Sequence, residues 1–454
     1  MKIKELFNDK QFYKSLFAIA VPIMLQNFFN SVVNTLDTVM IGRLGTAEIA
    51  AVGLGNQIFF LYNLALFGLC SGSAIFTAQY WGMRDIGGIR KNTGFCLIIA
   101  LAGAALWTVG AAFAPEKLIG FYSQDETVIA IGTQYLRILS FSFIPFGISF
   151  VFMLTLRSVE KVRLPLVTTL IALSINAILN YCLIFGPGPF PAMGVRGAAI
   201  ATVIARVIEL ILLVSISYIK KYPLAGSLTE LLSFKLPFIQ RFVRIVFPVL
   251  LNEIAWSLGV SMQNLIIART QTDAYAAFNI ATTVNMLNWV LFIGLGNGVG
   301  VLIGKKIGEG DEIKAREYAA RISWFAPIAA IGSAGALLLV SRFVPLVFNV
   351  NENVVVLVHI MFVILAVLYP FRSFNMCMVV GICRAGGDTV FCFIYDILFM
   401  WVFSLPLAAA AAFFLKAPVW IIFLCVTSEE YLKILLGIWR LRSGKWLRNV
   451  TGGV

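Results

Sequence analysis

A single histidine stands in the 454-residue chain. His359 lies among Val, Leu and Ile near the start of an apolar run, the setting of a lone satisfied imidazole and not of a metal centre. The seven cysteines (Cys70, Cys96, Cys182, Cys377, Cys383, Cys392, Cys425) lack the paired spacing of a zinc site or a disulfide framework. They read as small buried hydrophobes. No HExxH, no serine with a histidine partner and no protease-type aspartate pair occurs, so an intramembrane hydrolase has no catalytic set. Neither a filter motif nor a ring of charge points to a channel. Charged residues make up only 13% of the chain and hydrophobic ones 60%, with a mean hydropathy of +0.91. A soluble fold is thereby excluded, because its apolar share is about half.

What is present is a succession of apolar runs, each near the roughly 20 residues that carry an α-helix across a bilayer. Twelve spans are expected, at 16–42, 51–81, 93–113, 128–156, 164–186 and 197–219, then 245–268, 274–304, 322–340, 354–383, 390–415 and 417–439. The opening MKIKELFNDKQFYK carries both signs and leads into the first span without a small-residue cleavage site, so that span is expected to remain.

The net charge of +13 would suggest nucleic acid in a soluble protein. Its distribution suggests topology instead. The N-terminus, the even-numbered loops and the C-terminus together hold 25 of the 35 Lys and Arg residues, whereas each odd-numbered loop holds one. Basic residues in short loops mark the cytoplasmic side, so both termini are expected there, and no nucleic-acid partner is needed.

Shifting the chain by 226 positions superposes Pro22 on Pro248, Arg43 on Arg269, Gly68 on Gly294, Gly72 on Gly298, Gly82 on Gly308, Asp85 on Asp311 and Arg90 on Arg316. This order of loop charges and paired glycines marks an internal duplication. Each half has an even number of spans, so the repeats run parallel. The reading is an all-α membrane protein: an N-lobe at 1–220, a cytoplasmic linker at 221–241 and a C-lobe at 242–454. Both GxxxG pairs read as close helix packing.

Carboxylates inside a membrane cost at least about 2.5 kcal/mol and persist where they pair or line a polar cavity. Glu209 lies three residues from Arg206, and Glu429 and Glu430 lie four and three from Lys433, spacings that allow pairs on one helix face. Asp396 sits a turn or two inside its helix and is expected to reach the interface. Asp37 and Glu253 have no base within a helical turn. Asn27, Asn30, Asn34 and Asp37 recur at three or four residues, as do Glu253, Ser257 and Asn264, giving two polar stripes. By the 226 shift Glu253 corresponds to Asn27, and Asp37 to Gln263. Asn176, Asn180 and Thr202 add neutral oxygens in the fifth and sixth spans. Such oxygens around a carboxylate suit Na⁺, while a desolvated Asp37 could instead carry a proton; both ions stay open.

The stretch AVPIMLQNFFNSVVNTLDTVMIGRLGTAEIAAVGLGNQ resembles the opening of multidrug and toxic compound extrusion (MATE) transporters. PVLLNEIAWS, NAILNY, GVRGAAIAT and CRAGGDT follow in the family's order over nearly the whole chain. The resemblance implies twelve helices in two six-helix lobes forming a V. It also implies no enzyme activity and no cofactor, with export of amphipathic, often cationic compounds across the inner membrane, driven by Na⁺ or H⁺. The family's cation site carries over onto Asp37, Asn176, Asn180 and Thr202, although some members have a second acid where this chain has Asn180. The seventh-helix carboxylate carries over to Glu253. Where a related branch has a tenth-helix acid, this chain reads YPFRSFNMCM, and Arg372 is expected either to pair with Glu253 or to stand in the cleft and shift preference away from cations. The expected partners are a small organic substrate and membrane lipid, and the two-lobe construction permits a functional monomer. A flippase for lipid-linked oligosaccharides is the alternative within the same superfamily.

Overall fold

Where a chain has no water to satisfy its peptide groups, it closes them within helices. The computed structural model describes residues 9–343 and 352–452, all helix and connecting turns with no strand among them; Lys2 and Lys4 of the basic N-terminus lie outside the described residues. The elements are α1 (Lys10–Gly42), α2 (Thr46–Met83), α3 (Ile86–Phe113), the short α4 (Pro115–Gly120), α5 (Glu126–Leu139) running through a 3₁₀ turn into α6 (Phe143–Ser158), α7 (Arg163–Phe185) and α8 (Val195–Ile219). After a one-turn α9 (Leu228–Leu231) follow α10 (Leu236–Ala268), α11 (Thr272–Gly308), α12 (Glu312–Ser341) and α13 (Glu352–Met376), which widens into a π-helical stretch at Cys377–Cys383. Then come α14 (Thr389–Leu398) and α15 (Leu405–Ala409), joined and followed by π-helical turns, and finally α16 (Val419–Thr427) and α17 (Glu429–Ser443).

Among the described residues, eleven helical segments are long and apolar enough to span a membrane. The twelfth expected span is present as α16 and α17, interrupted at Ser428.

The duplication has a physical basis at the repeated turns. Asp85 caps α3 by accepting from the Gly88 amide at 2.8 Å, and its counterpart Asp311 caps α12 from the Lys314 amide at 3.2 Å. The preceding residues, Arg84 and Gly310, both take the left-handed conformation that ends a helix.

Two compact packing units emerge. The N-unit is 25–242. In it α7 packs on α8, and α2 packs on α3 and α5. Its linker is folded onto α3: Ser227 and Glu230 form a capping box, Arg90 pairs with Glu230 at 2.5 Å, and Gly94 leaves no room for a methyl beside the Leu231 carbonyl. Phe76 stacks on Phe242, and Phe95 meets Phe242 edge-on at 4.9 Å.

The C-unit comprises 1–24 with 243–454. There α11 packs against α13 and its π-helical continuation, and α12 against α13. One GxxxG pair serves close packing, since a methyl on Gly294 or Gly298 would press on Met24 or Ala20 of α1. Its core gathers Phe278, Phe292, Phe362, Tyr369 and Phe423.

Candidate functional site

In the N-unit the polar stripe of α1 loosens its own helix. Asn30 donates to the Gln26 carbonyl at 2.9 Å, Ser31 to Asn27 at 3.1 Å and Thr38 to Asn34 at 3.0 Å. Such back-bonding competes with the helical ladder and favours local bending. On α7, Asn176 and Asn180 are one turn apart and share a face.

The structure joins four of the residues singled out from sequence into one chain of hydrogen bonds. The Asn180 amide donates to Asp37 Oδ1 at 2.6 Å and to Asn176 Oδ1 at 3.3 Å. Asn176 donates to Thr202 Oγ1 at 3.4 Å, and Thr202 donates to the Ala198 carbonyl at 3.0 Å. Asn180 is 1% exposed, and its Oδ1 has no donor among the described residues. A buried acceptor left open beside a carboxylate is what a hard cation fills. Arg206 is the positive charge that acts on Asp37; it is itself paired with Glu209 at 2.8 Å, at the three-residue spacing expected.

Glu209 also anchors a second polar chain. It accepts from Thr169 at 2.7 Å, Thr169 accepts from Gln26 at 2.7 Å, and Gln26 Oε1 accepts from Arg157 at 2.5 Å. Arg157 is buried, and its Nε has no acceptor among the described residues. Its position at the end of the fourth span makes it read as a loop residue in sequence.

In the C-unit, Glu253 is buried, and its partner is Arg384, at 2.5 Å. The expected pairing with Arg372 is corrected: Arg372 lies 3.4 Å from Glu430 and packs on the Trp289 ring at 4.7 Å. Arg384 was counted with a cytoplasmic loop because it follows the last apolar residue, yet it is 3% exposed. Asp396 likewise does not reach out to the interface; it takes Lys433 at 3.0 Å and the Asn252 amide at 3.2 Å. Lys433 also lies 3.6 Å from Glu430, while Glu429, expected to share it, forms no ion pair among the described residues. Asn375 fixes Glu430 at 2.7 Å and accepts from Tyr395 at 2.6 Å.

A signal for the missed arginines exists in the numbering. Gln26 to Arg157 and Glu253 to Arg384 both span 131 residues. The interaction counterpart of Glu253 is therefore Gln26, one register away from the Asn27 that the 226 shift supplies. Gln263, the counterpart of Asp37, donates to the Val426 carbonyl at 3.3 Å beside the break in the last span.

Comparison with known proteins adds the lineage. The MatE family model matches residues 22–182 and 248–410. The chain is 25% identical to the "Uncharacterized transporter YisQ" of Bacillus subtilis, over 97% of this chain and 96% of that one. It is 22% identical to the "Probable multidrug resistance protein NorM" of Thermotoga maritima, over 96% and 94%. Among solved structures, an outward-facing multidrug resistance MATE family transporter superposes with a TM-score of 0.86 at 18% identity, covering 95% of this chain and 96% of that one. The Vibrio cholerae MATE transporter VcmN does so with 0.86 at 19%, covering 96% and 98%. With both halves of the duplication matched, this multi-pass membrane protein belongs to the MatE family.

Proposed function

We propose that the chain is a cation-coupled antiporter that exports amphipathic organic compounds across the cytoplasmic membrane by alternating access of two lobes, 1–220 and 242–454. In this reading both termini and the 221–241 linker are cytoplasmic, and a monomer is the working unit. The observation that carries it is the Asp37 constellation: a membrane carboxylate held by Asn180, with Asn176 and Thr202 behind it and a buried Asn180 oxygen that has no donor among the described residues. Na⁺ would use that oxygen together with the carboxylate; a proton on Asp37 would neutralise the carboxylate alone. A flippase for polyanionic substrates has less support. Arg206, Arg372, Arg384 and Lys433 are each committed to a carboxylate of their own unit.

An ion shifts a conformational equilibrium only through unequal affinity for the two states. In liposomes, wild type is expected to accumulate a fluorescent organic cation after a Na⁺ or pH jump, and the jump that works names the ion. Asp37→Asn should still bind the dye but lose the response to either gradient. Gradient-driven accumulation by Asp37→Asn at the wild-type level would move the coupling site elsewhere.

A further inference from the structure

Arg384 reaches Glu253 from a tight turn. The π-helical stretch ends at Cys383 and α14 begins at Thr389. Between them the backbone closes on itself: the Arg384 amide donates to the Val379 carbonyl at 3.1 Å, Gly386 to Ile382 at 2.9 Å, Gly387 to Arg384 at 2.8 Å and Asp388 to Cys383 at 2.9 Å. Where this turn sits decides where the Arg384 guanidinium sits. Only a well-placed guanidinium compensates a buried carboxylate such as Glu253.

The segment after α17 holds the turn in place. Trp446 is fully buried, with its indole N–H on the Leu441 carbonyl at 3.3 Å. The Arg448 amide donates to the Gly386 carbonyl at 2.9 Å. Asp388, 1% exposed, accepts from Arg440 Nε at 2.7 Å and pairs with the Arg448 guanidinium at 3.1 Å, tying the turn both to α17 and to the segment beyond it. The two glycines of CRAGGDT provide the room this contact needs. A β-carbon on Gly386 would fall on the Trp446 carbonyl, and one on Gly387, which has φ +71°, on Val450. The N-unit repeats the plan in a neutral form. By the 226 shift Val450 corresponds to Leu224, fully buried in the segment after α8, and Lys161 of the turn after Arg157 packs on the Tyr222 ring at 5.8 Å. In place of Asp388 that turn has Val162.

We propose that Asp388, Trp446 and Arg448 are positioning residues of the C-unit: the segment after the last helix clasps the 384–388 turn and thereby seats Arg384 on Glu253. They act through Arg384. Loosening the clasp exchanges a paired buried carboxylate for a stranded one, so a contact made beyond the last span is felt at Glu253 inside the seventh. The consequence for transport rests on the antiport reading; the clasp itself does not.

The test is a double-variant cycle in purified protein. Trp446→Ala opens the clasp, and Glu253→Gln removes the charge that Arg384 answers. In detergent micelles Trp446→Ala is expected to lower the thermal unfolding midpoint more in protein carrying Glu253 than in protein carrying Glu253→Gln, where no ion pair remains to be unseated. Equal drops in both backgrounds overturn the proposal, since Trp446 would then only fill space. If Trp446→Ala does not fold, Arg448→Gln, which removes only the outer ion pair on Asp388, enters the same cycle with the same two outcomes. In liposomes the clasp variant should export the fluorescent organic cation several-fold more slowly at unchanged dye affinity, with Trp446→Phe restoring the rate and Glu253→Gln protein losing nothing further. Wild-type export by the clasp variant overturns the positioning role. The unfolding cycle needs no transport, so a failure of the antiport reading is told apart from a failure of the clasp.

Discussion

The two units bury an arginine at matching places and treat it differently. In the N-unit Arg157 rests on a neutral amide, Gln26, which passes its own donor on to Thr169. In the C-unit Arg384 rests on a carboxylate, Glu253, and the neighbouring position at the same offset from Thr169 is the acid Asp396, answered by Lys433. Around this arginine one unit therefore uses hydrogen bonds to neutral groups, and the other a chain of ion pairs. In the N-unit Asp37, held by the Asn180 amide, is not a member of that hydrogen-bonded chain. The C-unit has replaced the Asp37 counterpart with Gln263 and put it to work on the broken last span. Duplication conserved the helices while their polar interiors diverged.

The largest effect is expected where one cation serves two acids. Lys433→Met leaves Asp396 without its ion pair and Glu430 with Arg372 alone, and breaking a buried pair by removing one partner costs about 3–5 kcal/mol. Thermal unfolding in micelles, followed by tryptophan fluorescence, should fall well below wild type. A midpoint close to wild type would show that the cluster relaxes or hydrates, and that the ion-pair chain is not what holds the C-unit together.

Next comes the matched pair of arginine supports. Glu253→Ala strands the Arg384 charge, at about 3–5 kcal/mol, whereas Gln26→Ala removes one neutral acceptor from Arg157, at about 1–3 kcal/mol. Glu253→Gln reproduces the N-unit solution in the C-unit. It should fold, keep a hydrogen bond to Arg384 and lose most of the transport measured in liposomes. Equal destabilisation by the two alanine variants would erase the distinction between the units, and full transport by Glu253→Gln would restrict Glu253 to a structural role.

Most of the fold was legible because the bilayer imposes a coarse rule that apolar length alone reveals, and because Asp85 and Asp311 repeat a helix cap in register. The Asp37 group was legible only through resemblance: Asn176, Asn180 and Thr202 are distant in sequence, and no local pattern says that they meet. Arg157 and Arg384 were misread for one physical reason. Each lies where an apolar run ends, and an arginine there looks like a loop charge unless a buried acceptor on another helix is known. The interruption at Ser428 carries neither proline nor glycine, so nothing local announced it. It shows only as the place where Ser404 and Gln263 supply donors to carbonyls of the last turn of α16.

The smallest effects are expected at the ends of the two units, where duplicated arginines hold the segment after the sixth helix of each repeat. In the C-unit Arg316 packs against Gly444, which has φ +66°. Gly444→Ala places a β-carbon both in the left-handed region and on the guanidinium, costing about 1–2 kcal/mol. In the N-unit Arg90 holds Glu230 at an exposed pair, where Glu230→Gln should leave the unfolding midpoint unchanged. Its effect is local: amide exchange at Ser227–Leu231 should accelerate as the capping box loses its carboxylate. The Ser227 amide, its hydroxyl and Arg90 together hold the Glu230 carboxyl below the usual carboxylate range. A carboxylate favoured in the folded state contributes fully above its unfolded value, about 4.3, and loses that contribution as the pH falls through the lower folded value. Exchange protection of this turn should thus hold from neutral pH to about 4 and decline only on further acidification. Protection that persists undiminished well below that range would show that the linker is held by Phe95 and Phe242 packing on its following segment, and not by the box.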